Sequence, residues 1–118
     1  MERAQRALQL WSILVLAARS RQIWTYEIVG NACGLPAVSI GDFLRPIQQF
    51  CAENNLPPLT SIIVNKSDGM PGEGFLAENV PLAQSQTFEK NWQEVRAPSV
   101  QQLAEAYTRA PGRRSGSS

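Results

Sequence analysis

An α+β domain that is mainly helical, with three N-terminal helices, a small β-hairpin and one or two C-terminal helices, is the architecture predicted for this 118-residue chain. Three observations carry the prediction. Apolar residues recur at helical spacing through residues 2–54. One β-branched run, TSIIVN at 60–65, breaks that pattern and has the composition of a strand. KSDG follows it directly, and Asp and Gly tolerate the positive backbone angles of a hairpin turn. The length suits one domain over residues 1–109, able to bury a core without metal or disulfide staples.

The first helix is expected over residues 2–19, with Ala7, Leu10, Trp11, Leu14, Ala17 and Ala18 on its inner face. Arg3 and Arg6 followed by LQLWSILVLAA have the layout of a secretory signal. Glu2, the amphipathic spacing and the absence of a convincing small-x-small cleavage site favour a core helix instead. The apolar stretch is also shorter than the roughly 20 residues of a membrane-spanning helix. Thr25 caps a short second helix with Ile28, Val29, Ala32 and Cys33 turned inward, and Gly34 stops it. The third helix is expected over 40–54, started by a capping box of Ser39 and Asp42. Its inner face is Ile40, Phe43, Leu44, Ile47, Phe50 and Cys51, which leaves Asp42, Arg45, Gln48, Gln49 and Glu53 outward. Pro46 should kink that helix or delay its start. The hairpin and a glycine-rich return arm then fill residues 56–76. Two helical pieces over 82–96 and 99–107 follow, the second capped by Ser99. Residues 110–118, with nothing to bury, are expected to be a disordered tail.

Hydrophobic residues make up 43% and charged residues 18% of the chain, with a net charge of +1. That balance excludes a disordered acidic tail and a basic nucleic-acid arm. Cys33 and Cys51 both fall in apolar stripes, where a thiol acts as a small hydrophobe. A reducing, cytoplasmic setting fits them best, with a disulfide as the alternative. Two cysteines and no histidine cannot supply a four-ligand zinc site. Nor does the chain hold a converging carboxylate pair, or a phosphate loop with a Lys-Ser/Thr ending. No catalytic residue, metal or cofactor is therefore expected, and no membrane partner.

The order of a helix, a Thr-Tyr-led short helix, Gly, a third helix, a Pro-rich approach to a strand, a Ser-Asp-Gly turn and a glycine-rich arm resembles a known DNA-binding domain. That domain belongs to the O6-alkylguanine-DNA alkyltransferases and their alkyltransferase-like relatives. The resemblance covers residues 10–75. It is carried by Trp24-Thr25-Tyr26-Glu27, Gly34, Gly41, Leu56-Pro57-Pro58, Ser67-Asp68-Gly69, Gly72 and Gly74. It implies a winged helix-turn-helix-like fold with the third helix as reader. The family's Pro-Cys-His-Arg quartet, whose cysteine accepts the alkyl group, is absent, and Leu59-Thr60-Ser61-Ile62 stands nearby. Alkyl transfer by that chemistry is excluded. Aligning Gly41 with the family's helix glycine puts Val38 where the relatives lacking the cysteine carry a base-displacing arginine. The hairpin string also resembles that of small, unassigned bacterial proteins, which implies a bacterial or phage setting.

Two function classes follow. In the first, the domain is a non-catalytic DNA-binding or regulatory module for double-stranded DNA. Arg45 and Gln49, four apart, would enter a groove. Thr25, Tyr26, Lys66 and Ser67 would hold phosphates. Arg113 and Arg114 would add a flexible electrostatic contact. In the second, it is a small protein-interaction module of the immunity, antitoxin or phage-inhibitor kind. Its contact would then be the hairpin region, through Asn65, Met70, Glu73 and Phe75.

Overall fold

The structure, a computed structural model, describes residues 2–72 and 79–110. The candidate residues Glu73 and Phe75, the arm residue Gly74, and residues 111–118 of the expected tail, with Arg113 and Arg114, lie outside the described residues, while Ala110 at its start is buried. Helix α1 spans Glu2–Arg19, and strand β1 is the two residues Trp24–Thr25. Helices α2 (Tyr26–Cys33) and α3 (Ala37–Glu53) follow, then a 3-10 turn at Leu59–Ile62 that runs into strand β2 (Ile63–Val64). Helix α4 (Val80–Glu89), a 3-10 turn at Trp92–Glu94 and helix α5 (Val100–Arg109) complete the order. The architecture is mainly helical with one small sheet. No helix among the described residues is long and apolar enough to cross a membrane.

Three helices stop by one device. After α1, α2 and α3 the chain turns left-handed at Arg21 (φ 55°), Gly34 (φ 73°) and Asn55 (φ 58°). In each case the next residue's N–H reaches back into the last turn: Gln22 to Ala17, Leu35 to Gly30 and Leu56 to Cys51. Leu35 and Leu56 then fold against the core, so the same geometry that ends α2 and α3 also buries a side chain. Helix starts are equally local. Thr25 accepts from the N–H of Ile28, Asn79 from that of Leu82 and Ser99 from that of Gln102, and Gln102 answers to the N–H of Ser99.

α3 corrects the expected start. It begins at Ala37, directly after Pro36, and the Ser39 hydroxyl donates to the Pro36 carbonyl instead of capping the helix. Pro36 has the backbone angles that lead into a helix, so the first turn forms three residues early. α3 continues through Pro46, which is buried. α2 corrects the expected inner face. Val29, Gly30 and Cys33 are buried, whereas Ile28 and Ala32 are exposed. Gly30 is close to the turn that follows: a Cβ there would lie 2.6 Å from the Leu35 carbonyl oxygen.

The expected hairpin does not form among the described residues. β2 pairs in parallel with β1, Trp24 opposite Ile63 and Thr25 opposite Val64. The first half of the β-branched run is a 3-10 turn, because β1 offers only two residues of ladder. The 82–96 helix is also shorter than expected. It ends at Glu89, and a separate turn carries Trp92 into the core.

The core lies between α1, α3, α5 and the Leu59–Ile62 turn. Leu10, Leu14, Ile40, Ile47, Leu59, Ile62 and Leu103 are fully buried there. Trp11 is the junction, meeting Phe50 edge-on at 5.6 Å and Trp92 edge-on at 5.8 Å. α3 thus packs against α1, α2, α5 and the 3-10 turn, which makes it the central helix of the fold.

Candidate nucleic-acid interface

The parallel pairing of β1 and β2 decides which candidate residues meet. Because Thr25 is in register with Val64, the start of α2 lies beside the loop that leaves β2. Tyr26 closes the two together. It is half-buried, and its hydroxyl accepts the backbone N–H of Gly72. A Cβ on Gly72 would collide with that hydroxyl, and one on Gly41 would just touch the ring at 4.0 Å. One phenol therefore joins α2, the first turns of α3 and the segment after β2. Burial pushes the Tyr26 hydroxyl above its ordinary pKa, against the opposing pull of the Gly72 bond.

The loop itself is closed by its own chemistry. Asn65 N–H donates to the Met70 carbonyl (2.8 Å), Gly69 N–H to the Asn65 carbonyl (2.8 Å), and Met70 N–H to the Asp68 carboxylate (2.9 Å). Gly69 takes φ 69°, which a Cβ would disfavour. Lys66 and Ser67 stand exposed at the tip. Around this end three apolar side chains are also exposed: Val38 (95%), Ile28 (49%) and Met70 (46%). Val38 is one turn before Gly41 on the same side of α3.

Arg45 and Gln49 are placed differently. Both are half-buried on the flank of α3, correcting the fully outward face expected of them. Arg45 Nε is 3.5 Å from Asp42 Oδ1, and that carboxylate also accepts from Arg3 Nε (2.9 Å) and the Tyr107 hydroxyl (3.0 Å). Gln49 donates to Glu53 (2.7 Å), which holds Arg109 of α5 through two bonds of 2.7 and 2.8 Å. The bonds from Arg109 and then Gln49 pull the Glu53 carboxyl down to about 2. Asp42 and Glu53 are thus the acceptors that fasten α1 and α5 to α3. Arg3, Tyr107 and Arg109 carried no sequence signal for this, since their partners are 39 to 65 positions away.

The structure therefore brings Thr25 and Tyr26 to the loop containing Asn65, Lys66, Ser67 and Met70, and sets Arg45 and Gln49 toward the seam with α5. Thr25 spends its hydroxyl on the α2 cap. Nucleophilic chemistry finds no support at the cysteines. Both are buried free thiols, and burial raises their pKa values, that of Cys51 to about 11. Among the described residues no three His, Cys, Asp or Glu side chains converge as metal ligands. No family model matches the chain, and no curated protein or solved structure matches it either.

Proposed function

We propose that the protein is a non-catalytic DNA-binding module that works through the end of the molecule where α2 begins. In this reading α2, the turn at 34–36 and α3 form a helix-turn-helix-like unit, and the loop at 65–72 serves as its wing. The observation that supports it is the clasp of Tyr26 on Gly72. It sets the exposed Lys66 and Ser67 beside the start of α2 and the first turns of α3. Lys66 and Ser67 are of the types that contact phosphate oxygens. Val38 supplies an apolar contact of the kind a thymine methyl accepts in the major groove. Arg45 and Gln49 enter a groove only if they exchange their bonds to Asp42 and Glu53 for bonds to bases.

The test is fluorescence anisotropy of a labelled mixed-sequence duplex at low and near-physiological salt. Salt-sensitive binding that Lys66→Glu weakens, and that Arg45→Ala with Gln49→Ala leaves unchanged, is the expected result. If the double variant alone abolishes binding, the flank of α3 is the reading surface instead. Absence of binding even at low salt overturns the DNA reading.

One observation favours a second reading. Ile28, Val38 and Met70 are exposed close to the clasp, while Thr25, Tyr26, Arg45 and Gln49 spend polar groups inside the protein. A protein partner that buries those three apolar side chains would use this same end. Loss of partner capture on Val38→Glu, with DNA binding absent, would select it.

A further inference from the structure

A second surface has the makings of a small-molecule site. A cavity of about 280 Å³ lies where the first turn of α1, the middle of α3 and α5 meet. Ala4, Pro46, Leu103 and Ala104 form apolar walls, and the half-exposed Arg3 and the ring of Tyr107 complete it. The space has a simple cause. Two alanines and a proline face one another where longer side chains would otherwise fill the gap between three helices. Pro46 also brings no N–H into the wall. An apolar cavity of about 150 Å³ is enough to take up benzene, so this one has room for a ring with a short side chain.

The charge at the cavity is equally specific. The Arg3 guanidinium lies over the Tyr107 ring at 4.5 Å from its centre. Its Nε donates to Asp42 Oδ2, which leaves the two terminal nitrogens of the fork for a second acceptor. Asp42 itself meets Arg3 at 2.9 Å through Oδ2 and Arg45 at 3.5 Å through Oδ1. Glu105, on the outer side of α5, accepts from Gln101 at 3.2 Å. The Thr108 hydroxyl is spent on the Glu105 carbonyl at 2.6 Å. An apolar body with a single anionic head satisfies both the walls and the open edge of the Arg3 fork.

We propose that this cavity binds a small aromatic monocarboxylic acid, the ring lodged between Pro46, Leu103 and Ala104 and the carboxylate on Arg3. The inference does not depend on what the Tyr26 end of the molecule recognises.

The experiment is a titration of the 15N-labelled protein with 3-phenylpropionate and, in parallel, with the neutral 3-phenylpropanol, followed by amide chemical shifts. The acid should give saturable shifts at Ala4, Ala104 and Thr108 and bind about tenfold more tightly than the alcohol, as a charge-assisted hydrogen bond requires. Arg3→Gln should remove that preference and leave the alcohol's affinity unchanged. Ala104→Leu should fill the cavity and weaken both ligands about tenfold. Should Ala104→Leu fail to fold, Arg3→Gln on the exposed side of α1 still decides the matter. Absence of saturable shifts, shifts confined to other elements, or equal affinity for acid and alcohol would overturn the proposal.

Discussion

Two polar clusters tie the C-terminal third of the chain to the rest, and they differ in exposure. The first centres on Thr87, which is fully buried. Its Oγ1 lies 2.8 Å from the Ala83 carbonyl, 3.0 Å from the Pro58 carbonyl and 3.2 Å from the Ser61 hydroxyl. Its carbonyl accepts the indole N–H of Trp92 at 2.7 Å, and Gln84 donates to the Ser61 carbonyl at 3.0 Å. The second cluster, Asp42 with Arg3, Arg45 and Tyr107 and Glu53 with Gln49 and Arg109, is solvated. The solvated contacts include full charges, yet the buried set should dominate stability. Water competes for an exposed ion pair and screens it, whereas a buried group that loses its partner has no substitute. Full charge therefore says little about strength until burial is known.

The largest effect that could break this comparison is expected at Trp92. Trp92→Ala removes a buried indole that packs on Trp11 and anchors to Thr87. It should cost about 3–5 kcal/mol in urea unfolding. A loss below about 1 kcal/mol would mean that the buried cluster is not the stronger tie.

Thr87→Val is next, because it leaves the buried Ser61 hydroxyl without its Thr87 partner, at a cost of about 1–3 kcal/mol. Thr60 sharpens the point, since its hydroxyl is buried and finds no partner among the described residues. Thr60→Val should be neutral or stabilising, the opposite sign for the same chemical change, when both variants are unfolded side by side. Equal losses would show that volume and shape, not hydrogen bonding, set the cost.

The smallest effect is expected at the solvated end. Arg109→Ala should leave the unfolding midpoint unchanged at neutral pH and move the Glu53 titration from about 2 toward 4.5, read by carboxyl NMR. The sign follows from the lowered pKa. In the window between 4.5 and about 2 the unfolded chain binds the proton that the folded chain refuses. Whatever Glu53 contributes is thus complete above that window and lost as the pH falls through it. A clear drop in neutral-pH stability for Arg109→Ala would place this contact beside the buried cluster in strength.

Legibility followed the distance over which each feature is decided. The caps at Thr25 and Ser99 and the stop at Gly34 were readable because donor and acceptor lie within a turn of each other. The stops at Arg21 and Asn55 use the same left-handed geometry, but no glycine marks them in the sequence. The β-branched run identified a strand, but its ladder partner is Trp24–Thr25, across α2 and α3 in sequence, and nothing local distinguishes that pairing from a hairpin. The glycine-rich segment read only as a return arm, because the group that meets Gly72, the Tyr26 hydroxyl, was out of sight. Asp42 read as the capping-box partner of Ser39 and Glu53 as an outward helix residue, whereas α1 and α5 rest against the first carboxylate and α5 against the second.

Composition, periodicity and turn chemistry by themselves determined a mainly helical chain, the inner faces of α1 and α3, and the starts of α2 and α5. Each of these depends on backbone and side-chain atoms a few residues apart. Tertiary structure alone decided the parallel β1–β2 pairing, the clasp of Tyr26 on Gly72, and the covering of one polar flank of α3 by α5. Those outcomes depend on which surfaces pack together and which carboxylates and carbonyls they bring within bonding distance. No short window of sequence contains both partners of such a contact.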